Sequence, residues 1–196
     1  MGNWKRYYVT YSLLVINVFC FKALIPENFP HFALGNNWDM VSQRAWTVFT
    51  YMFLHGDLYH LILNMFMLLS FGSFCEEIIG KRRFLFLYLL SGVSGGILHV
   101  FFPFSAIDIC VGSSGALYGL MLLAVVLDPG IKMSPMIFPF VRVPAYWMIT
   151  IISVLFLVLT KLFGFRIANT VHFGGALFGL FYGLYLRFHL KVEQGR

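Results

Sequence analysis

The chain has 196 residues, of which 60% are hydrophobic and 11% are charged. A soluble globule of this size cannot enclose so much apolar surface, so the composition indicates a polytopic membrane protein. The net charge of +6 fits contact with anionic lipid, because the sequence has no basic module typical of nucleic-acid binding. Three scattered cysteines are an odd number and predict neither a disulfide framework nor a metal site.

Six apolar runs, each bounded by polar residues, predict six membrane-spanning helices. A span needs about 20 residues, and most of the runs are long enough. The fourth run would cover only about 21 Å of a hydrocarbon core about 30 Å thick, so it begins inside the membrane and ends at Asp128-Pro129-Gly130. We therefore expect an all-α fold and a single membrane domain over residues 1–196, with no separate soluble domain and with helices at about 7–25, 58–75, 84–102, 114–127, 144–160 and 170–186.

The basic residues predict how these helices are oriented. If the N-terminus is cytoplasmic, ten of the 14 Lys and Arg residues fall on the cytoplasmic side, as the positive-inside rule expects. Both termini of this cell-membrane protein are then cytoplasmic. The second, fourth and sixth helices all run inward from the external face.

These three helices carry polar side chains in their first turns. The second has His60 and Asn64, the fourth has Ser114 and the sixth has His172. Polar groups are costly to insert into a membrane, and several at one depth favour a functional site. The alternative is that they only hydrogen-bond neighbouring helices to one another.

Small residues follow Ser114 and His172 along their helices. Gly175 and Gly179 lie on nearly the same helix face as His172, and Gly115 comes directly after Ser114. Stripes of this kind usually mark close helix packing. Here, that packing would bring Ser114 and His172 within hydrogen-bonding distance.

A serine beside a histidine predicts hydrolysis by nucleophilic attack. Neutral imidazole can take the proton of the Ser114 hydroxyl and later donate it to a leaving amine. Apart from Asp57, no carboxylate lies near the external starts of these helices, so we expect a Ser114/His172 dyad without a third member. Tyr118, one turn after Ser114, either holds the His172 ring or is an ordinary buried aromatic residue.

Attack on an amide creates an oxyanion that needs hydrogen-bond donors. The side chains of His60 and Asn64 can supply them, together with the backbone N–H groups that lack helical partners at Ser114. Gly112 and Gly115 would allow the backbone to turn tightly around the serine.

In the order and spacing of these motifs, the chain resembles the rhomboid intramembrane serine proteases. The resemblance spans about residues 46–183 and rests on Phe53-Leu54-His55, His60, Asn64, Gly112-Ser113-Ser114-Gly115, Tyr118, His172, Gly175 and Gly179.

The resemblance implies a role for each of these side chains. Ser114 is the nucleophile and His172 is the base. His60, Asn64 and the Ser114 amide line the oxyanion hole, and Tyr118 packs against the base.

Four other positions complete the comparison with that family. Ser113 is a filler residue, because the family motif selects the second serine. His55 and Glu76 match family residues that we interpret as structural. Some bacterial members have Trp-Arg where this chain has Trp46-Thr47, a departure that concerns only the anchoring of the first external loop.

The resemblance also implies the substrate class. Such proteases cleave membrane proteins in or near the bilayer without a metal or cofactor, so the expected partners are transmembrane substrates and membrane lipids, with no nucleic acid. Because water must reach Ser114, we expect a polar cavity above it, covered by the connection 161–169. Lateral entry beside the fifth helix is a further implication of the family.

Other functions fit less well. A catalytically inactive rhomboid-like binding module typically lacks the serine or the histidine, and this chain has both. A transporter would need inverted repeats or buried charges along a pathway. The sequence has no H-E-x-x-H motif, and the spacing of His55, Asp57 and His60 does not put all three on one helix face, so we expect no metal.

Overall fold

The computed structural model describes residues 6–23, 28–102, 109–133, 140, 142–163 and 168–194, most of which are helical. In chain order the elements are α1 (Tyr8–Ala23), α2 (Phe29–Phe32), β1 (Leu34–Gly35), α3 (Trp38–Gln43), α4 (Thr47–Thr50), a 3₁₀ turn (Tyr51–Phe53), α5 (Leu58–Met67), a π-helical turn (Leu68–Gly72), α6 (Ser73–Ile79), α7 (Lys81–Phe101), β2 (Ile109–Cys110), α8 (Ser114–Leu127), β3 (Lys132–Met133), β4 (Val143–Pro144), α9 (Ala145–Phe163) and α10 (Asn169–Gln194).

Two of the described helices are long and apolar enough to cross a membrane, namely the continuous helix Leu58–Ile79 and α7. Shorter apolar stretches occupy Tyr8–Ala23, Ser114–Leu127 and Ala145–Val154. The described part of the chain is therefore mostly helical and includes two helices of spanning length, and six spans stay a prediction.

Several helix ends differ from the ranges expected from the sequence. The second helix continues past residue 75 to Ile79, because Glu76 in its last turn has hydrogen-bond partners inside the protein. The next helix begins at Lys81 instead of residue 84. Gly80 adopts φ 78°, a conformation suited to glycine, and this single residue separates the two helices. The last helix continues to Gln194 because nothing in its polar end breaks helical geometry.

α8 lies at the centre of the bundle. Ten of its 14 residues are buried, and Leu117, Leu120 and Met121 are completely inaccessible to solvent. It packs mainly against α10 and α7. At its C-terminal end, the Arg187 guanidinium of α10 donates to the Val126 carbonyl over 2.9 Å, which satisfies a carbonyl that the helix leaves without a partner.

Glycines set the distance between α8 and α10. A Cβ atom on Gly175 would overlap the Gly115 carbonyl, and one on Gly179 would overlap the Gly119 carbonyl. The two backbones therefore touch along a glycine ladder made of Gly115, Gly119, Gly175 and Gly179. This contact positions the first turns of both helices against each other.

The start of α1 is attached to the end of α6 by Glu76. This carboxylate is 2% exposed and accepts hydrogen bonds from the Val9 amide (3.1 Å), the Thr10 amide (2.8 Å) and the Thr10 hydroxyl (2.8 Å). Next to it, Glu77 accepts hydrogen bonds from Arg6 and the Tyr7 hydroxyl. Glu76 thus acts as an N-terminal cap for a helix that is distant in sequence.

Two small antiparallel pairs connect the helices. β1 pairs with β2, with Leu34 opposite Cys110, and β3 pairs with β4, with Lys132 opposite Pro144. The first pair holds the segment that leads directly into Ser113 and Ser114. Trp46 is followed by a threonine instead of the arginine of some family members. Its indole donates to the His31 carbonyl over 2.9 Å, so this loop is anchored without that arginine.

Candidate active site

Ser114 and His172 lie in contact at the N-terminal ends of two neighbouring helices. Ser114 is the first residue of α8, and His172 lies in the first turn of α10. The Ser114 Oγ and His172 Nε2 atoms are 2.7 Å apart, within hydrogen-bonding distance. The glycine ladder begins directly below this pair at Gly115 and Gly175. Ser114 is 7% exposed, and His172 is partly exposed, so the serine is enclosed by protein and the histidine forms the more open side of the pair.

Tyr118 follows Ser114 by one helical turn and contacts the same imidazole. Its ring is stacked on the His172 ring, with centroids 4.5 Å apart and 15° between the planes. Its hydroxyl lies 3.0 Å from the Ser153 hydroxyl on α9, so these groups are hydrogen-bonded. Tyr118 thus joins α9 to the histidine of α10 across the end of α8.

Gly112 brings His60 next to the serine motif. It adopts φ 120°, which favours glycine, and its amide donates to the Tyr51 carbonyl over 3.0 Å. A Cβ atom at this position would lie 2.7 Å from both His60 Nε2 and Cε1, and 3.7 Å from Asn64 Nδ2. The backbone just before Ser113 therefore packs against the His60 ring, and the Asn64 side chain lies close by.

Asn64 is completely buried, and neither its Nδ2 nor its Oδ1 atom has a hydrogen-bond partner among the described residues. Buried amides nearly always have a partner, so such a group marks a special position. The Asn64 amide can donate to an oxygen that enters beside Gly112. At the start of the same helix, Asp57 caps α5 by accepting from the His60 amide over 2.8 Å.

Ser113 has surroundings different from those of Ser114. It is completely buried, and its hydroxyl lies 3.5 Å from His55 Nε2. Burial, followed by the neighbouring His60, lowers the pKa of His55 to about 3. A neutral His55 therefore faces the first serine of the motif, and His172 faces the second.

Two contacts near the site were not anticipated from the sequence. Ser153 holds the Tyr118 hydroxyl, and His99 Nδ1 lies 2.7 Å from the Thr170 hydroxyl, two residues before His172. A histidine within an apolar run, at position 99, was the sequence signal for the second contact, and the structure shows this residue completely buried. The sequence gives no indication of the contact made by Ser153, because a single hydroxyl in an apolar helix is common.

Two further expectations concern the surroundings of the site. Residues 164–167 of the connection expected to cover Ser114 lie outside the described residues. Within the described part of the chain, no three His, Cys, Asp or Glu side chains come together in a way that could hold a metal ion.

The fold and these contacts define a helical membrane protein in which a serine and a histidine meet between two closely packed helices. The model of the rhomboid domain family matches residues 42–188, about three quarters of the chain. The chain belongs to the rhomboid family.

Relatives in that family come from plants, fungi and bacteria. RHOMBOID-like protein 5 of Arabidopsis thaliana is 32% identical over 145 residues, which cover 73% of this chain and 44% of the relative. Rhomboid protein 1, mitochondrial, of Saccharomyces cerevisiae is 29% identical over 150 residues, covering 74% and 42%. Rhomboid protease GluP of Bacillus subtilis is 34% identical over 159 residues, covering 79% and 29%. The chain thus spans less than half the length of each of these relatives.

Proposed function

We propose that this protein is an intramembrane serine endopeptidase that uses Ser114 as nucleophile and His172 as general base. The observation that carries the proposal is the 2.7 Å contact between Ser114 Oγ and His172 Nε2. A serine hydroxyl is a weak nucleophile until a base removes its proton, and an imidazole at this distance can do so. The relative named as a rhomboid protease also supports a protease activity.

The reaction would proceed in two halves. In the first, Ser114 Oγ attacks the carbonyl carbon of the scissile bond while its proton passes to His172 Nε2. The tetrahedral intermediate then collapses, the C–N bond breaks, and His172 gives the proton to the leaving amine. In the second half, His172 takes a proton from water, the resulting hydroxide attacks the Ser114 ester, and the serine regains its proton.

Asn64, His60 and the Ser114 amide are the proposed donors to the oxyanion. Asn64 Nδ2 has no partner among the described residues, and both side chains adjoin Gly112 just before the serine. An amide held without a partner loses no existing hydrogen bond when it donates to the oxyanion. This kind of preorganised donor typically contributes a factor of about 10²–10³ to the rate.

The substrates we propose are transmembrane segments of other proteins. A buried serine at a helix start in a membrane bundle is reached most directly by a peptide that is already in the bilayer. The proposed orientation puts both termini in the cytoplasm and opens the site to the external face of the cell membrane, as the basic residues favour. Membrane lipids are the other proposed partners; neither nucleic acid nor metal takes part.

Reconstitution into liposomes with a generic single-pass substrate tests the proposal. We expect cleavage by the wild-type protein, none above background by Ser114→Ala or His172→Ala, and retained cleavage by the matched control Ser113→Ala. A fluorophosphonate probe should label the wild type and Ser113→Ala but not Ser114→Ala.

The same experiment separates a protease from an inactive binding module. If the folded wild-type protein binds the substrate but neither cleaves it nor reacts with the probe, the inactive rhomboid-like function is correct and the protease function is wrong. If Ser114→Ala cleaves at the wild-type rate, the assignment of the nucleophile is wrong.

A further inference from the structure

A groove lies at the opposite end of the bundle from Ser114 and His172. It runs between the first turns of α7 and the later turns of α10, and it has a volume of about 560 Å³. On α10 its lining begins ten residues after His172, which corresponds to about 15 Å along the helix axis. The residues that define this basic groove are Arg82, Arg83, Phe86, Tyr182, Tyr185 and His189.

One end of the basic groove carries two positive charges that are not neutralised. Arg82 and Arg83 are exposed, and neither forms an ion pair with any side chain that the structure describes. By contrast, the nearby Arg6 pairs with Glu77, and the Lys81 ammonium lies 4.3 Å from the centre of the Tyr8 ring. The two arginines also lie in the first turn of α7, where the helix dipole favours an anion.

The acidic side chains next to this end are already engaged. Glu76 is buried and accepts three hydrogen bonds from Val9 and Thr10. Glu77 accepts from Arg6 and Tyr7. Neither carboxylate forms an ion pair with Arg82 or Arg83 among the described residues.

The other part of the basic groove is an aromatic wall. The Phe86 ring lies 5.6 Å from the Tyr182 ring, Tyr182 lies 6.1 Å from Tyr185, and Tyr185 lies 4.1 Å from His189, all measured between centroids. Phe86 is 49% exposed and Tyr185 is 54% exposed, so the wall is open to the surroundings of the bundle. Tyrosines are typical of the membrane interface, where one end of the side chain is apolar and the other is polar.

We propose that the basic groove binds an anionic phospholipid, with its phosphate against Arg82 and Arg83 and an acyl chain along the aromatic wall. The charge complementarity selects a phosphate, and the apolar exposed wall selects a ligand with a hydrocarbon part. Basic pockets between membrane helices bind lipid head groups for the same reason. This site is separate from the proposed protease site and does not depend on its activity.

Native mass spectrometry of the purified full chain tests the site. The protein in neutral detergent is mixed with phosphatidylglycerol or with phosphatidylcholine of the same acyl chains. We expect the wild type to retain phosphatidylglycerol preferentially. Arg82→Gln/Arg83→Gln should weaken that binding roughly 30-fold, since each arginine near an anionic head group contributes about 1 kcal/mol.

The matched control is Lys132→Gln/Arg142→Gln, which removes two exposed basic residues outside the basic groove. This control should bind phosphatidylglycerol within about threefold of the wild type, since its charges do not contact the head group. Equal losses in the two double variants, or equal retention of the two lipids by the wild type, would overturn the proposal.

Three further measurements keep the test decisive. Arg82→Lys/Arg83→Lys keeps both charges and should retain most of the binding, whereas Tyr185→Ala should weaken binding because it removes part of the aromatic wall. These variants decide the question even if the glutamine pair does not fold. Soluble glycerol phosphate should not displace the lipid at equal concentration; if it does, the groove recognises free phosphate and the lipid assignment is wrong.

Discussion

The ring of Tyr118 lies almost parallel to the imidazole of His172, with 4.5 Å between the ring centroids. The tyrosine belongs to α8 and the histidine to α10, so the stack fixes the ring plane of a residue on one helix by a residue on the other. The hydroxyl of the same tyrosine contacts Ser153 on α9 over 3.0 Å. Tyr118 therefore has two separable contacts, one through its ring and one through its oxygen.

Tyr118→Ala should lower kcat by up to about tenfold, because an aromatic stack of this kind contributes about 0.5–1.5 kcal/mol to holding the imidazole. Tyr118→Phe retains the ring and should stay within about threefold of the wild-type kcat. The control Tyr59→Ala changes a tyrosine that is 73% exposed and should leave kcat unchanged. Steady-state cleavage in liposomes measures all three. A loss in Tyr118→Phe as large as that in Tyr118→Ala would mean that the bond to Ser153, and not the stack, orients the histidine.

Gly179→Ala should destabilise the bundle by about 1–3 kcal/mol, the usual effect of overpacking, because the new methyl group overlaps the Gly119 carbonyl. Gly183→Ala should have a smaller effect, since its Cβ would lie 3.1 Å from the Val126 side chain, which is a tight contact and not an overlap. The control Gly130→Ala meets only Asp128 Oδ1 at 3.6 Å and should be neutral. Thermal unfolding in detergent gives the order of the three variants. An unchanged melting temperature for Gly179→Ala would contradict the observed approach of the helices.

Asn64→Ala should lower kcat about 10²–10³-fold with little change in KM, which is the effect of removing one oxyanion donor. It should lower stability less than Asn17→Ala, because the Asn64 amide has no hydrogen bond to lose among the described residues. Asn17 provides the control: it is completely buried and donates to the Leu13 carbonyl over 2.7 Å. Asn17→Ala should lower the melting temperature and leave kcat within about threefold, since this amide is purely structural. If Asn64→Ala instead lowered the melting temperature and left kcat unchanged, Asn64 would be structural and not catalytic.

Glu76→Gln should lower the free energy of unfolding by about 1.5–3 kcal/mol, because hydrogen bonds to a buried charged acceptor are among the stronger ones. Hydrogen exchange of the Val9 and Thr10 amides should become faster. Glu77→Gln is the matched control on the neighbouring residue, whose carboxylate is more exposed, and its effect should be small. Similar destabilisation by both variants would indicate general electrostatics at this end of the bundle, and not the capping of α1.

The proximity of Ser114 and His172 could be predicted because their helices carry glycine stripes, and such stripes bring two backbones together. The contact of Tyr118 with Ser153 could not, because α9 has no comparable pattern that specifies which of its faces meets α8. The start of α7 was also missed. Three consecutive charges at residues 81–83 are typical of a loop, but Gly80 completes the turn alone and the charges belong to the helix.

The surroundings of Asn64 could be predicted from the sequence only in part. Its place on the same helix face as His60 follows from their four-residue spacing. Its lack of a partner does not follow, since hydrogen bonding depends on side chains from several helices. Likewise, the sequence marks His99 as a polar residue in an apolar run, but only the fold brings it 2.7 Å from Thr170.

The glycine ladder limits how α10 can slide against α8. Gly115 meets Gly175 and Gly119 meets Gly179, so the matching positions recur every four residues on both helices. A shift by one residue would drive a side chain into a carbonyl, and the next comparable fit is four residues away, about 6 Å along the axis. The two helices therefore pack only in discrete registers. The serine and the histidine are either in register or a full step apart, and strain on the bundle cannot lengthen their hydrogen bond gradually.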